Sequence, residues 1–311
     1  MFEVVLSTML RTFGPEKVQA MLTSKAKHGK TILQFAAQSR DKESFGAVLA
    51  AVKGTTAAQK GTDVTVWSSR SDSGRVLCAA AISGSRETFE AVLGSLELEL
   101  PPDEVKTLLT STGNGGKPLI TLAVSSGSKE VFEAVLAALS SWQVRDAMRT
   151  SSMHAELLVA AAKSGSIELW QAVVNDTREG KAKASVVSDD KGASLLLRTA
   201  ASQGTVRMWE AVRHDLLLVQ PEQVLGFLSR NTGLANMLLK GAVRSRDPSI
   251  VGAVIQFVHC TRLQQGVLDF GAFIGSGFSD WTTVVLEKSN FAQGAGGGGL
   301  DWAIGALSCL L

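Results

Sequence analysis

Cysteine is scarce in this chain of 311 residues: Cys78, Cys260 and Cys309 are odd in number, widely separated and without metal-ligand spacing. A disulfide framework is therefore not expected, and each thiol reads as a small buried hydrophobe in a reducing compartment. No uninterrupted apolar run approaches the roughly 20 residues that span a bilayer. The first residues, Met1 to Gly14, lack the basic flank and cleavage pattern of a signal peptide, and Glu3 interrupts any apolar core. A cytoplasmic or otherwise intracellular chain, with no membrane association, is the expectation. Charge of one sign is also missing: 31 Lys and Arg face 29 Asp and Glu, a formal +2, which predicts no global steering toward nucleic acid. Tyrosine is absent altogether, and nothing in the sequence explains that.

What is present is a repeat. An aromatic or aliphatic anchor followed by an Ala-Val-Leu-like run occurs at Phe2, Phe45, Phe89, Phe132, Trp170, Trp209 and Val251, with gaps of 43, 44, 43, 38, 39 and 42 residues. A fixed period of this length is the signature of stacked repeats, in which no unit buries its apolar face alone. The hydrophobic content of 45% is enough for a substantial core. Phe2-Glu3-Val4-Val5-Leu6 matches the anchor phrase itself, so the chain is expected to start inside a repeat.

Before each anchor lies a helix-length pattern in which large residues are followed by small ones on nearly the same face, as in Ile32-Leu33-Gln34-Phe35-Ala36-Ala37 and Leu195-Leu196-Leu197-Arg198-Thr199-Ala200-Ala201. A breaker follows: Ser39-Arg40-Asp41, Ser83-Gly84-Ser85, Ser126-Gly127-Ser128, Ser164-Gly165-Ser166, Gln203-Gly204-Thr205 and Arg246-Asp247-Pro248-Ser249. Glycine suits the left-handed position that closes one helix, and the neighbouring Ser, Thr or Asp suits the N-cap of the next. Glu87, Glu130 and Glu168 favour the positive end of that second helix and are expected to join capping boxes. Pro15, Pro102 and Pro221 each open a further helical segment, with Ser141-Trp142-Gln143-Val144 and Gln264-Gln265-Gly266-Val267 as weaker copies. Lys53 to Ser73 and Thr177 to Lys191 break the pattern, and they read as extended connections or as drifted helices.

Gly29-Lys30-Thr31-Ile32-Leu33-Gln34-Phe35-Ala36-Ala37 and Gly116-Lys117-Pro118-Leu119-Ile120-Thr121-Leu122-Ala123, each closed by its anchor phrase, resemble ankyrin repeats. The period exceeds the usual 33 residues and the Thr-Pro-Leu-His phrase is incomplete, so the resemblance is to a diverged, expanded array; a three-helix solenoid of HEAT type is the alternative. It implies recognition of other proteins through a groove and supplies no catalytic residue. The fold class expected is all-α: a right-handed or gently curved solenoid of stacked helical hairpins, ankyrin-like, with an extra helical segment in several repeats. Residues 1–262 form the solenoid, and residues 263–311 a degenerate final repeat or glycine-rich cap.

Chemistry is sparse. His28, His154, His214 and His259 fall in different repeats, away from Cys or carboxylates at metal-binding intervals, and His214-Asp215 reads as following a helix. His259-Cys260 is adjacent in sequence but divergent on a helix, a poor nucleophile and base. Gly294 to Gly299 lacks the Lys and Ser or Thr of a phosphate loop. No catalytic residue, metal or cofactor is expected.

From Lys191 to Arg262 nine basic residues face four acidic ones, an excess that suits an acidic peptide or a phosphate backbone, or an ordinary solvated surface. The reading is a non-enzymatic scaffold or adaptor for a protein or peptide, acting as a monomer or hetero-complex subunit, with nucleic acid not expected. A structural subunit of a larger assembly is the alternative and a repeat-scaffold enzyme the third. Candidate contacts, named because the pattern places them outward, are Gln34, Gln38, Arg40, Arg198, Arg207, Lys240 and Arg244.

Overall fold

Helix–turn–helix geometry repeats along the computed structural model, which describes residues 8, 11–26, 29–57, 67, 70–113, 116–145, 151–178, 190–203, 205–219 and 232–264. Its helices are α1 (Pro15–Thr23), α2 (Ile32–Gln38), α3 (Lys42–Ala57), α4 (Arg70–Ser83), α5 (Arg86–Glu99), α6 (Pro102–Thr110), α7 (Leu119–Ser125), α8 (Lys129–Ser141), α9 (Ser151–Ser164), α10 (Ile167–Arg178), α11 (Asp190–Gln203), α12 (Val206–Val219), α13 (Thr232–Ser245) and α14 (Pro248–Gln264). The only β pairing among the described residues is an isolated bridge between Thr112 and Pro118. The all-α expectation is met. Phe2, Pro221 and residues 265–311, with the glycine run, lie outside the described residues, as do most of the two pattern-breaking connections.

One turn recurs with the same hydrogen bonds. The hydroxyls of Ser39, Ser83, Ser126, Ser164 and Ser245 each donate to the carbonyl three residues back, that of Ala36, Ala80, Ala123, Ala161 and Ala242, at 2.6–2.7 Å. The amide two residues onward then donates to the same hydroxyl, closing the corner. Next, Asp41, Ser85, Ser128, Ser166, Thr205 and Asp247 cap the second helix by accepting from its first free amides. The residue between is left-handed, and three of these are Gly84, Gly127 and Gly165. Arg40 (φ 63°) and Arg246 (φ 60°) carry side chains in the same conformation. Arg40 is partly compensated, because its guanidinium lies over the neighbouring turn: a methyl added to Gly84 would sit 3.6 Å from Nη2.

The glutamates act differently from expectation. Glu130 stands two residues past its cap, one short of the capping-box position, which Val131 occupies. Its carboxylate accepts from its own amide and from the Ser128 hydroxyl at 2.8 Å, and these bonds hold its pKa below the usual carboxylate value. Glu87 and Glu168 share that spacing within the first turn. The capping box forms instead at α2, between Thr31 and Gln34.

Each anchor amide, from Phe45 through Phe89, Phe132, Trp170, Trp209 and Val251, bonds the carbonyl of its cap residue, fixing the side chain one turn into the second helix. All six are at most 2% exposed, and the valines three residues later, Val48, Val92, Val135, Val173, Val212 and Val254, are also buried. The facing helix offers alanine three residues before Ser39, Ser83, Ser126, Ser164, Gln203 and Ser245, at Ala36, Ala80, Ala123, Ala161, Ala200 and Ala242, again buried. A bulky column thus fits beside a small one, as close packing requires.

The chain forms two compact units, Met1–Ala160 and Ala161–Leu311. Within the first, α2, α4 and α7 pack in succession, α3, α5 and α8 form a parallel succession, and α6 closes on α4 and α5 through Val105, Leu108 and Leu109. Pro15 and Pro102 open α1 and α6 as expected. Ser141-Trp142-Gln143-Val144 does not start a helix: Ser141 ends α8, and Gln143 turns left-handed while the Val144 amide bonds back to Leu139. Within the second unit, α11 packs on α13, and α12 packs on α10 and α14. His214 and Asp215 lie inside α12, because Leu216 remains on its buried face and prolongs the helix. Asp215 accepts from the Trp170 indole at 2.8 Å, and Phe257 stands edge-on to Trp209 with centroids 5.6 Å apart.

Trp209→Ala is expected to cost about 3–5 kcal/mol, read as a lowered denaturation midpoint. Arg246→Gly should stabilise by about 1 kcal/mol through relief of the left-handed conformation, whereas Arg40→Gly should gain less, since it also loses the packing over Gly84. Equal gains would contradict this assignment.

Candidate functional site

Two helical rows differ in what they leave outside. The second helix of each hairpin turns its anchor and valine columns inward, and of its large apolar side chains Leu98 on α5 is exposed. The first helix carries outward residues whose chemistry changes from unit to unit. In the first unit these include Phe35 on α2 and Ile82 on α4, 48% and 41% exposed. In the second they are Leu195 on α11 and Met237 on α13, at the same register and each 39% exposed.

The seven sequence candidates divide accordingly. Gln34 is a correction: it is 4% exposed, and its Oε1 accepts the Thr31 amide at 3.1 Å while its own amide donates to the Thr31 hydroxyl. It closes the start of α2 and does not face a partner. Gln38 is half-buried and accepts from Lys30 Nζ at 3.2 Å, and that ammonium also sits 5.5 Å from the Phe35 ring centre. Arg40 is exposed beside Gly84. Arg198, Lys240 and Arg244 are exposed on the packed pair α11 and α13, and Arg207 is exposed on α12, in the other row.

Arg244 occupies the last turn of α13, where the helix dipole favours a cation. The structure therefore brings three of the candidates together in the second unit. The apolar residues beside them escaped the sequence reading because Leu195-Leu196-Leu197 and Met237-Leu238-Leu239 read as continuous core. Three consecutive helical residues span about 200° of arc, so one must leave the buried face. Here it is the first of each run.

Among the described residues, no three His, Cys, Asp or Glu side chains converge in a group that could hold a metal ion. His154 is buried in α9 and His214 is exposed on α12. His28 and the side chains of His259 and Cys260 lie outside the described residues. Cys78 is buried on α4, where burial pushes its thiol up to about 11. A methyl added to Gly113 would sit 2.8 Å from both Cys78 Sγ and Leu122 Cδ1, so the turn before α7 presses directly on this thiol. Among the described residues, no helix is long and apolar enough to cross a membrane.

No protein-family model matches the chain, and neither does any curated protein or solved structure.

With its thiol some two units above a free cysteine, Cys78 should form thiolate about a hundredfold less readily. Peptide mapping after brief alkylation of the native protein at neutral pH should leave Cys78 unmodified. Rapid labelling there would contradict its burial.

Proposed function

We propose that this chain is a non-enzymatic protein-interaction scaffold, built as a diverged ankyrin-like array of stacked hairpins with an extra helix in several repeats. One observation carries the reading. The inward columns keep their residue type through six repeats, alanine before the turn and an anchor followed by valine after it, while the outward positions of the first helices change freely in size, polarity and charge. A framework of this kind holds variable side chains at regular spacing without demanding any one of them for stability.

The ankyrin-like part of the reading has local support. Thr31-Ile32-Leu33-Gln34 stands where that family has Thr-Pro-Leu-His, and its first and last residues cap each other. The turns before α2 and α7 also share one hydrogen-bond pattern. The Ala26 and Gly113 amides bond the carbonyls of Lys30 and Lys117, while those of Gly29 and Gly116 bond back to Ala26 and Gly113. A protein or peptide is the partner such a surface suits, with affinity concentrated in a few well-packed side chains. The expected setting is intracellular.

Affinity capture on the full chain, followed by hydrogen exchange of the complex, tests this. Retained protein should slow exchange in the first helices of the hairpins, where the outward side chains are carried. Retention of nothing under mild washing, or protection confined to the second-helix row, would overturn the scaffold reading. Constitutive high-order assembly by light scattering would favour the structural-subunit alternative in its place.

A further inference from the structure

We infer that the outward face shared by α11 and α13 docks an acidic amphipathic protein segment, one that seats an apolar side chain against Leu195 and Met237 and sets carboxylates beside Arg198, Lys240 and Arg244. The inference deepens the scaffold reading and rests on it.

Its first basis is register. Leu195 and Arg198 are three residues apart on α11, and Met237 and Lys240 are three apart on α13, so each pair shares a helix face. The two helices approach closely, because Gly241 has no side chain: a methyl there would sit 3.4 Å from the Arg198 carbonyl oxygen and 3.6 Å from Ala201 Cβ. The two pairs therefore stand side by side and form one patch.

The second basis is burial. Leu196 and Leu197 are each 1% exposed, and Leu238 and Leu239 are 0% and 6% exposed, so both helices have their apolar needs met inward. Leu195 and Met237 are surplus to that packing. Two large apolar side chains at matching positions on adjacent helices make a small contiguous patch, and the thioether adapts to an incoming group of irregular shape.

Charge decides the partner. In the first unit four cations are answered from within: Lys25 by Asp72, Lys53 by Glu99, Arg86 by Glu90 and Lys129 by Glu133. No such ion pair holds Arg198, Lys240 or Arg244 among the described residues, and α13 contains no acidic residue at all. Among the described residues, the apolar pair thus lies beside cations that no acidic side chain of this face pairs. Carboxylates on a partner complete it, while the aliphatic stems of Arg and Lys extend the apolar floor. Nucleic acid fits less well. Among the described residues of this unit no large aromatic side chain is exposed for a base to stack on, and a sugar-phosphate backbone gains nothing from Leu195 and Met237.

The test uses the full chain and a fluorescein-labelled synthetic peptide with leucine at helical spacing and glutamate elsewhere, followed by fluorescence anisotropy. Two control peptides separate the terms, one with leucine replaced by serine and one with glutamate replaced by glutamine. A single-stranded RNA oligonucleotide serves as the competing polyanion. The acidic amphipathic peptide should bind and weaken with salt, and each control should bind at least about tenfold more weakly. Arg198→Glu with Lys240→Glu, and separately Leu195→Ser with Met237→Ser, should each weaken it by about tenfold, with helical circular dichroism retained. Arg198→Gln with Lys240→Gln should give the same ordering if charge reversal disturbs folding. Arg86→Glu, in the first unit, should leave binding unchanged.

Absence of binding, binding indifferent to both double substitutions, or tighter binding of RNA than of the peptide would overturn the inference. If captured partners stay bound to the Arg198→Glu, Lys240→Glu protein, this surface is refuted while the scaffold reading stands.

Discussion

Close approach of a small column to a bulky one is the constraint on which the rest of the structure depends. Alanine three residues before each turn lets the second helix lie against the first, and the Phe, Trp or Val anchor then fills the space beside it. A larger residue in the small column would force the helices apart, at a cost of about 1–3 kcal/mol for each overpacked site. The corner depends on the same residue. The alanine carbonyl is the acceptor for the turn serine in five of the six turns, so side-chain size and backbone bonding converge at one position.

The turn makes this packing reproducible. A serine closes the outgoing helix, one left-handed residue reverses the chain, and a short polar side chain caps the incoming helix. Each step satisfies backbone groups that a helix end leaves unpaired. Where glycine is replaced by Arg40 or Arg246 the geometry persists, so tertiary packing holds the corner against the preference of the residue. The anchor then enters at a fixed point, four residues after the cap, whatever its size. Trp170 and Trp209 gain an edge over phenylalanine in reach: one indole bonds Asp215 of the next hairpin, and the other meets the edge of Phe257.

Because the inward columns carry the packing, outward positions are free to vary without loss of the framework. The first unit leaves Phe35 and Ile82 exposed, with a lysine over the phenylalanine ring, and pairs four of its cations internally. The second leaves Leu195 and Met237 beside Arg198, Lys240 and Arg244, which form no ion pair among the described residues. The two units thus differ in the side chains they leave exposed. Cys78 is buried on α4, and His154 and His214 lie on different helices.

The amino-acid sequence by itself determined the periodic elements: the anchors, the turn triplets, the proline-led helices α1 and α6, and the all-helical class. These follow from local physics, namely helical periodicity, capping and the left-handed tolerance of glycine, which a single strand of text carries. Tertiary structure alone decided which of several chemically plausible residues turned outward. Gln34 is settled locally, by the capping box that its Thr-x-x-Gln phrase forms with Thr31, whereas Leu195 and Met237 read as core until their two successors fill the interior. The end of α8 at Trp142 and the continuation of α12 past His214 were likewise settled by what each helix packs against. Exposure is a property of neighbours, and neighbours more than a turn apart in sequence are set only when the helices close on one another.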